Sequence, residues 1–143
     1  MIEASATTTI DASPETIWAI LTDAPRYPEW DRGVERIEGR IALGEQITAF
    51  TKLSPGRAFP VKVTEFVPGQ RMVWRGGMPL GLFTGERTFT LAPQSAGGVL
   101  CTVREVFSGP LLPLIRRSLP DMTTVFAEFV ADLKTRAEST VQS

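Results

Sequence analysis

At 143 residues, with 15 basic and 16 acidic side chains and a formal charge of −1, the chain has the size of one ordinary domain and no single-sign field suited to gripping nucleic acid. It has no histidine and one cysteine, Cys101, which removes the commonest ligand of catalytic zinc, the usual base of a nucleophilic triad and any intramolecular disulfide. No metal or cofactor is expected, and a start without a signal-like apolar core, together with the lack of any run of about 18 apolar residues, reads as a cytoplasmic protein with no membrane span.

In chain order, residues 3–11 are rich in threonine and read as a polar edge strand. A helix follows at once: Ser13 suits the N-cap, Pro14 the first helical position and Glu15 the positive end of the helix dipole. Ile17, Trp18, Ile20 and Leu21 mark its apolar face until Pro25 and Pro28 interrupt it, leaving Tyr27 and Trp30 on a turn or short second helix. From Val34 to Phe107 the chain is punctuated by Gly and Pro, which predicts strands at 34–40, 45–54, 59–67, 70–76, 83–92 and 99–108. SAGG at 95–98 is the clearest turn. The segment 76–85 holds four glycines and one proline, a loop or bent strand end whose Met78, Leu80, Leu82 and Phe83 need shelter. Three prolines at 110–120 allow one helical turn before Met122, Val125, Phe126, Phe129, Val130 and Leu133 trace the stripe of a final amphipathic helix. A stripe that wide needs a covering sheet, which makes the fold α+β, a single domain over residues 1–143.

Alternation assigns strand faces. Along 83–91 the large apolar residues share a face with Arg87, and along 99–107 they share one with Glu105. A hairpin at SAGG would make these two charges cross-strand neighbours pointing inward, and an inward ion pair implies mutual satisfaction or a hydrated, ligand-accessible space. A register shift of one residue would instead put both on the solvated face, where the pair would contribute little. Trp18, Trp30 and Trp74 fit core positions more readily than ligand platforms. Cys101 reads as a small buried hydrophobe, Glu29 and Asp31 as solvated loop carboxylates, and Arg116–Arg117 as a weak anionic-ligand or surface signal.

Three stretches carry a resemblance: IDASPETIWAILTDAPRYPEWDRGVERIEG at 10–39, FPVKVTEFVPGQRMVWRG at 59–76 and GERTFTLAPQSAGGVLCTVREVFSGPL at 85–111. Together they resemble the polyketide cyclase and dehydratase-like branch of the START-like, helix-grip superfamily. The resemblance implies β-α-α-β6-α order, a seven-stranded curved antiparallel sheet gripping the C-terminal helix, and a cavity between them that receives hydrophobic small molecules. Trp30, Trp74, Gly85, Phe89, Gly98, Glu105 and Gly109 stand where the family pattern has turn, packing or cavity residues. It implies no one reaction, since so widely shared a fold hosts many functions.

Three functions follow as expectations. The first is binding of a small hydrophobic or aromatic molecule by a cavity lined by Phe50, Phe59, Trp74, Met78, Phe83, Arg87, Glu105, Phe107, Met122, Phe126 and Phe129. The second is a cyclase or dehydratase using Glu105, Arg87 and Tyr27; it ranks lower because the Arg87 that would hold Glu105 also opposes its action as a base. The third is a protein-interaction module with a filled core. The chain is expected as a monomer or homodimer.

Overall fold

The computed structural model describes residues 1–142, with side chains through Ser139. The chain begins with β1 (Ile2–Ile10), whose inward side chains are Ile2, Ala4, Ala6, Thr8 and Ile10 and whose outward ones are polar. Helix α1 (Pro14–Leu21) starts as its sequence dictates, with the Thr16 N–H donating to Ser13 Oγ at 3.1 Å. It stops where the Thr22 hydroxyl turns back onto the Trp18 carbonyl at 2.8 Å. Pro25 and Pro28 cannot donate to an α-helical ladder, so residues Ala24–Glu29 wind as a 3-10 helix instead.

Six strands follow: β2 (Val34–Glu38), β3 (Gln46–Thr51), β4 (Ala58–Val67), β5 (Arg71–Gly77), β6 (Thr84–Pro93) and β7 (Val99–Ser108). They form one antiparallel sheet of seven strands with β1, in the order β1-β7-β6-β5-β4-β3-β2, so the polar N-terminal strand lies at an edge. Bulges at Val34/Arg36 and Val63/Glu65 break the register and help curl the sheet. A short helix, α2 (Leu112–Ile115), and a 3-10 turn lead to α3 (Met122–Gln142). The curled α+β sheet around a long C-terminal helix is the helix-grip architecture.

Helix α3 lies mainly along β1, with further contacts to β7 and α1. Small Ala4 and Ala6 on the inward face of β1 allow this close approach. Phe126, Phe129, Val130, Leu133 and Ala137 are the buried stripe of α3, and they meet Trp74, Phe89, Val103 and the α1 residues Ile17 and Leu21 in one apolar core. No helix among the described residues is long and apolar enough to cross a membrane.

Candidate functional site

The register places one row of side chains across the middle of the concave face: Ala4, Glu105, Arg87, Trp74 and Val63, on five adjacent strands. Arg87 and Glu105 are therefore direct cross-strand neighbours, and the Arg87 Nε–H donates to Glu105 Oε1 at 2.6 Å. The side chain of Glu105 is 11% exposed and that of Arg87 31%. The guanidinium also lies 5.0 Å from the centre of the Phe126 ring, a cation–π contact that docks the pair against α3. Among the described residues no protein acceptor takes the Arg87 Nη protons.

The next row toward one end of the sheet reads Ile2, Phe107, Gly85, Gly76, Val61 and Ile47. Its two glycines make room for their neighbours, and a Cβ on Gly76 would stand 2.7 Å from Val61 Cγ1. A Cβ on Gly85 would stand 2.8 Å from Glu105 Oε2, so the missing side chain is what gives the carboxylate its place. On the opposite side of the pair lies the row Ala6, Val103, Phe89, Met72 and Phe66, all apolar.

Around Trp74 the aromatic rings close a circuit. Tyr27 meets Trp30 at 4.7 Å between centres, Trp30 meets Phe129 at 5.5 Å, Phe129 meets Phe89 at 5.8 Å, Phe89 meets Trp74 at 4.8 Å, and Trp74 returns to Tyr27 at 6.5 Å. Trp30 and Trp74 are buried, and neither indole N–H has an acceptor within the protein. Such orphan donors are rare in folded proteins.

Each residue singled out from the sequence has a definite place. Trp74, Arg87, Glu105 and Phe126 are brought together, with Phe129 in the ring circuit. Phe59 lies on the concave face opposite Ala49, and Phe83 stacks on Phe107 at 6.0 Å at the glycine-rich end. Met122 is half-buried at the start of α3. Phe50 corrects the expected lining. It shares the outer face of β3 with Thr48, under the Arg36 guanidinium at 3.7 Å, because it is one residue out of phase with the inward Ile47 and Ala49. Met78 is likewise exposed on the β5–β6 connection and Leu80 lies fully in solvent, so the shelter expected for that segment reaches only Leu82 and Phe83, which are half-buried.

The Tyr27 hydroxyl donates to the Leu21 carbonyl at 2.7 Å, and burial, followed by the charge of Asp31, pushes its pKa well above the usual tyrosine value. Its hydroxyl holds the 3-10 helix against α1 and is engaged within the protein. Asp31, expected as a solvated loop carboxylate, is half-buried and feels the charge of Arg87; burial raises its pKa against the Gly33 N–H and Arg87, which lower it. In the Asp-x-Gly turn Asp31 Oδ1 accepts the Gly33 N–H at 3.0 Å. Glu29 does pair at the surface, with Arg136 at 2.8 Å.

Two depressions open at the surface. One, of about 310 Å³, is an open groove between α1 and α3 lined by Thr16, Asp23, Arg26, Arg136 and the ring-circuit residue Trp30. The other, of about 230 Å³, lies over β3–β5 near Lys62 and Gly76. The side chains around Arg87 pack against one another. Among the described residues no cluster of His, Cys, Asp and Glu has the makings of a metal site.

A curled seven-stranded sheet gripping a C-terminal helix, with an ion pair and aromatic rings between them, defines a helix-grip protein. The family model described as polyketide cyclase / dehydrase and lipid transport matches residues 1–138, and the chain belongs to that family. Comparison with curated protein sequences gives no match. Among solved structures the chain is similar to the di-domain ARO/CYC StfQ of the steffimycin biosynthetic pathway, with 15% identity and a TM-score of 0.77 over 99% of this chain and 52% of that one. It is also similar to Aha1 from Colwellia psychrerythraea, solved as a dimer, with 23% identity and a TM-score of 0.73 over 96% of this chain and 97% of the other. Protein MLL2253 from Mesorhizobium loti gives 18% identity and a TM-score of 0.75 over 97% and 98%. At these identities the likeness is one of fold.

Proposed function

We propose that the chain binds a small aromatic or hydrophobic molecule carrying an acceptor oxygen, between the sheet and α3, with Trp30, Trp74 and Arg87 as hydrogen-bond donors. The observation that carries this reading is the pair of buried indole N–H groups without acceptors in the protein. A buried donor left unmatched costs about 1–3 kcal/mol, so two of them, one directly across from the inward Arg87, favour a bound partner that accepts. The ring circuit offers π faces to a flat ligand, and Glu105 holds Arg87 with its Nη protons directed elsewhere. Because these side chains pack together, entry requires them to part, and Phe59, Phe83, Phe107 and Met122 would line the path. The family's description, which joins polyketide cyclisation to lipid transport, agrees with such a ligand class.

The test follows the three tryptophan indole resonances during titration with a hydroxynaphthoic acid and with naphthalene. The Trp30 and Trp74 N–H signals are expected to move with the oxygenated ligand and Trp18 to stay. Indole signals unmoved by any aromatic ligand would sink the reading. A cyclase or dehydratase step on the same ligand is the second reading, supported by the free Arg87 Nη protons that could polarise a carbonyl. Turnover of an aromatic polyketide precursor that survives both Arg87→Met and Glu105→Gln unchanged would remove these residues from it.

A further inference from the structure

Strands β3, β5 and β7 run one way and their neighbours the other, so the connections 52–57, 78–83 and 109–121 leave the sheet at the same end. The β3–β4 and β5–β6 turns are two strands apart, about 10 Å by ordinary strand spacing. The second turn is bonded to the third connection, the Leu111 N–H donating to the Leu82 carbonyl at 2.9 Å. This end collects exposed apolar side chains: Leu53, Met78, Leu80 and Leu114, the last two 96% and 78% exposed. These three connections carry Lys52, Arg57, Arg116 and Arg117 against one acid, Asp121, which accepts the Thr124 hydroxyl at 2.9 Å. The 30–33 loop, held to the same end by the Lys52 N–H on the Gly33 carbonyl at 3.0 Å, adds Asp31 and an Arg32 that pairs with Asp132. Arg116 and Arg117 are exposed and have no ion-pair partner among the described residues. At the opposite end the connections 39–45, 68–70 and 94–98 carry one cation, Arg40, and one acid, Glu45.

Leu80 is the most telling of these residues. Its φ of 60° and ψ of 22° lie in the left-handed region, where glycine or asparagine sits at less cost, and its side chain gains no burial in return. Backbone hydrogen bonds close the turn, Met78 N–H to the Phe83 carbonyl at 2.8 Å and Leu82 N–H to the Pro79 carbonyl at 3.2 Å, but they do not require a leucine at its tip.

We infer that this end of the sheet is a docking surface for an anionic lipid bilayer, with Leu80 and Leu114 entering the headgroup–acyl boundary and Lys52, Arg57, Arg116 and Arg117 meeting the lipid charge. The apolar groups sit on separate projecting loops among cations, an arrangement suited to a deformable interface rather than a close-packed protein partner. The inference is independent of the interior ligand, since vesicle binding needs none.

Flotation of the full chain with phosphatidylcholine vesicles, with and without phosphatidylglycerol, tests it. Binding is expected to the anionic vesicles, weaker on neutral ones, and to fall as salt is raised. Leu80→Gly suits the left-handed backbone, so its melting temperature is expected to hold or rise while vesicle partition falls about tenfold, the weight of one leucine's apolar area. Arg116→Glu with Arg117→Glu is expected to abolish the preference for anionic vesicles. No flotation with either vesicle, or L80G floating like the parent, would overturn the proposal. So would a self-association in sedimentation that Leu114→Ser dissolves, because the face would then belong to a second copy.

Discussion

Arg87 and Glu105 face each other across β6 and β7 with little water around the carboxylate, so each is stabilised mainly by the other. Removing one strands a charge; removing both leaves space that apolar groups can fill. Arg87→Met and Glu105→Leu are each expected to lower stability by about 1–3 kcal/mol, discounted for the partial exposure of Arg87, with the double variant recovering most of the loss. Urea denaturation of the four proteins measures the coupling. Asp31 gives a pH prediction. Burial raises its folded pKa, so the proton binds more tightly in the folded chain, and the stability this contributes below the unfolded pKa is lost as pH rises through the folded one. Asp31→Asn keeps an acceptor for the Gly33 N–H and removes that loss. The variant is expected to be more stable than the parent at neutral pH and to converge with it in acid, as read from urea midpoints at the two pH values. The inward pair was legible as alternation beside a clear turn, whereas the burial of Asp31 was not, because an Asp-x-Gly turn does not reveal what packs over it.

At the scale of elements, the loop after the 3-10 helix is tied to α3 by a forked contact. The Arg32 guanidinium donates to Asp132 Oδ1 at 2.7 Å, and the Arg32 backbone N–H donates to Oδ2 at 3.0 Å. Burial raises the Asp132 pKa, but the Arg32 guanidinium and N–H outweigh it and hold the carboxyl below its usual range. A depressed folded pKa contributes stability above the unfolded pKa that is lost as pH falls through the folded one. Asp132→Asn is therefore expected to cost about 0.5–1 kcal/mol at neutral pH and less in acid, with faster amide exchange at Arg32 and Gly33 as the local readout. Strands β4 to β7 were legible within a residue or two because Gly and Pro bound them and alternation runs through them. The 3-10 form of residues 24–29 follows from Pro25 and Pro28, but only as the loss of an α-helix. The outward turn of Phe50 was not legible: a half-apolar strand such as QITAFT supports either phase until Ile47 is seen against Val61.

For the molecule as a whole, Cys101 reports on cooperative opening. It is buried among apolar neighbours on β7, and burial pushes its pKa up to about 12. The folded thiol stays protonated through neutral pH and inert. Labelling by a thiol reagent is expected to track global unfolding in urea, not local fraying, and pH-dependent stability from this group is lost as pH rises from the unfolded thiol range toward that value. A labelling rate that ignores denaturant would contradict this. Period, caps and turns are local properties written within a few residues, so α1, strands β4 to β7, the faces of Arg87 and Glu105 and the amphipathic stripe of α3 can be read from the chain alone. Only the tertiary structure decided that Trp30 and Trp74 bury N–H groups without acceptors, that Gly85 makes room for Glu105, and that Leu53, Leu80 and Leu114 share an end with Arg116 and Arg117. Those facts depend on which strand lies beside which and on how tightly α3 closes over them, and neither is a property of any one segment.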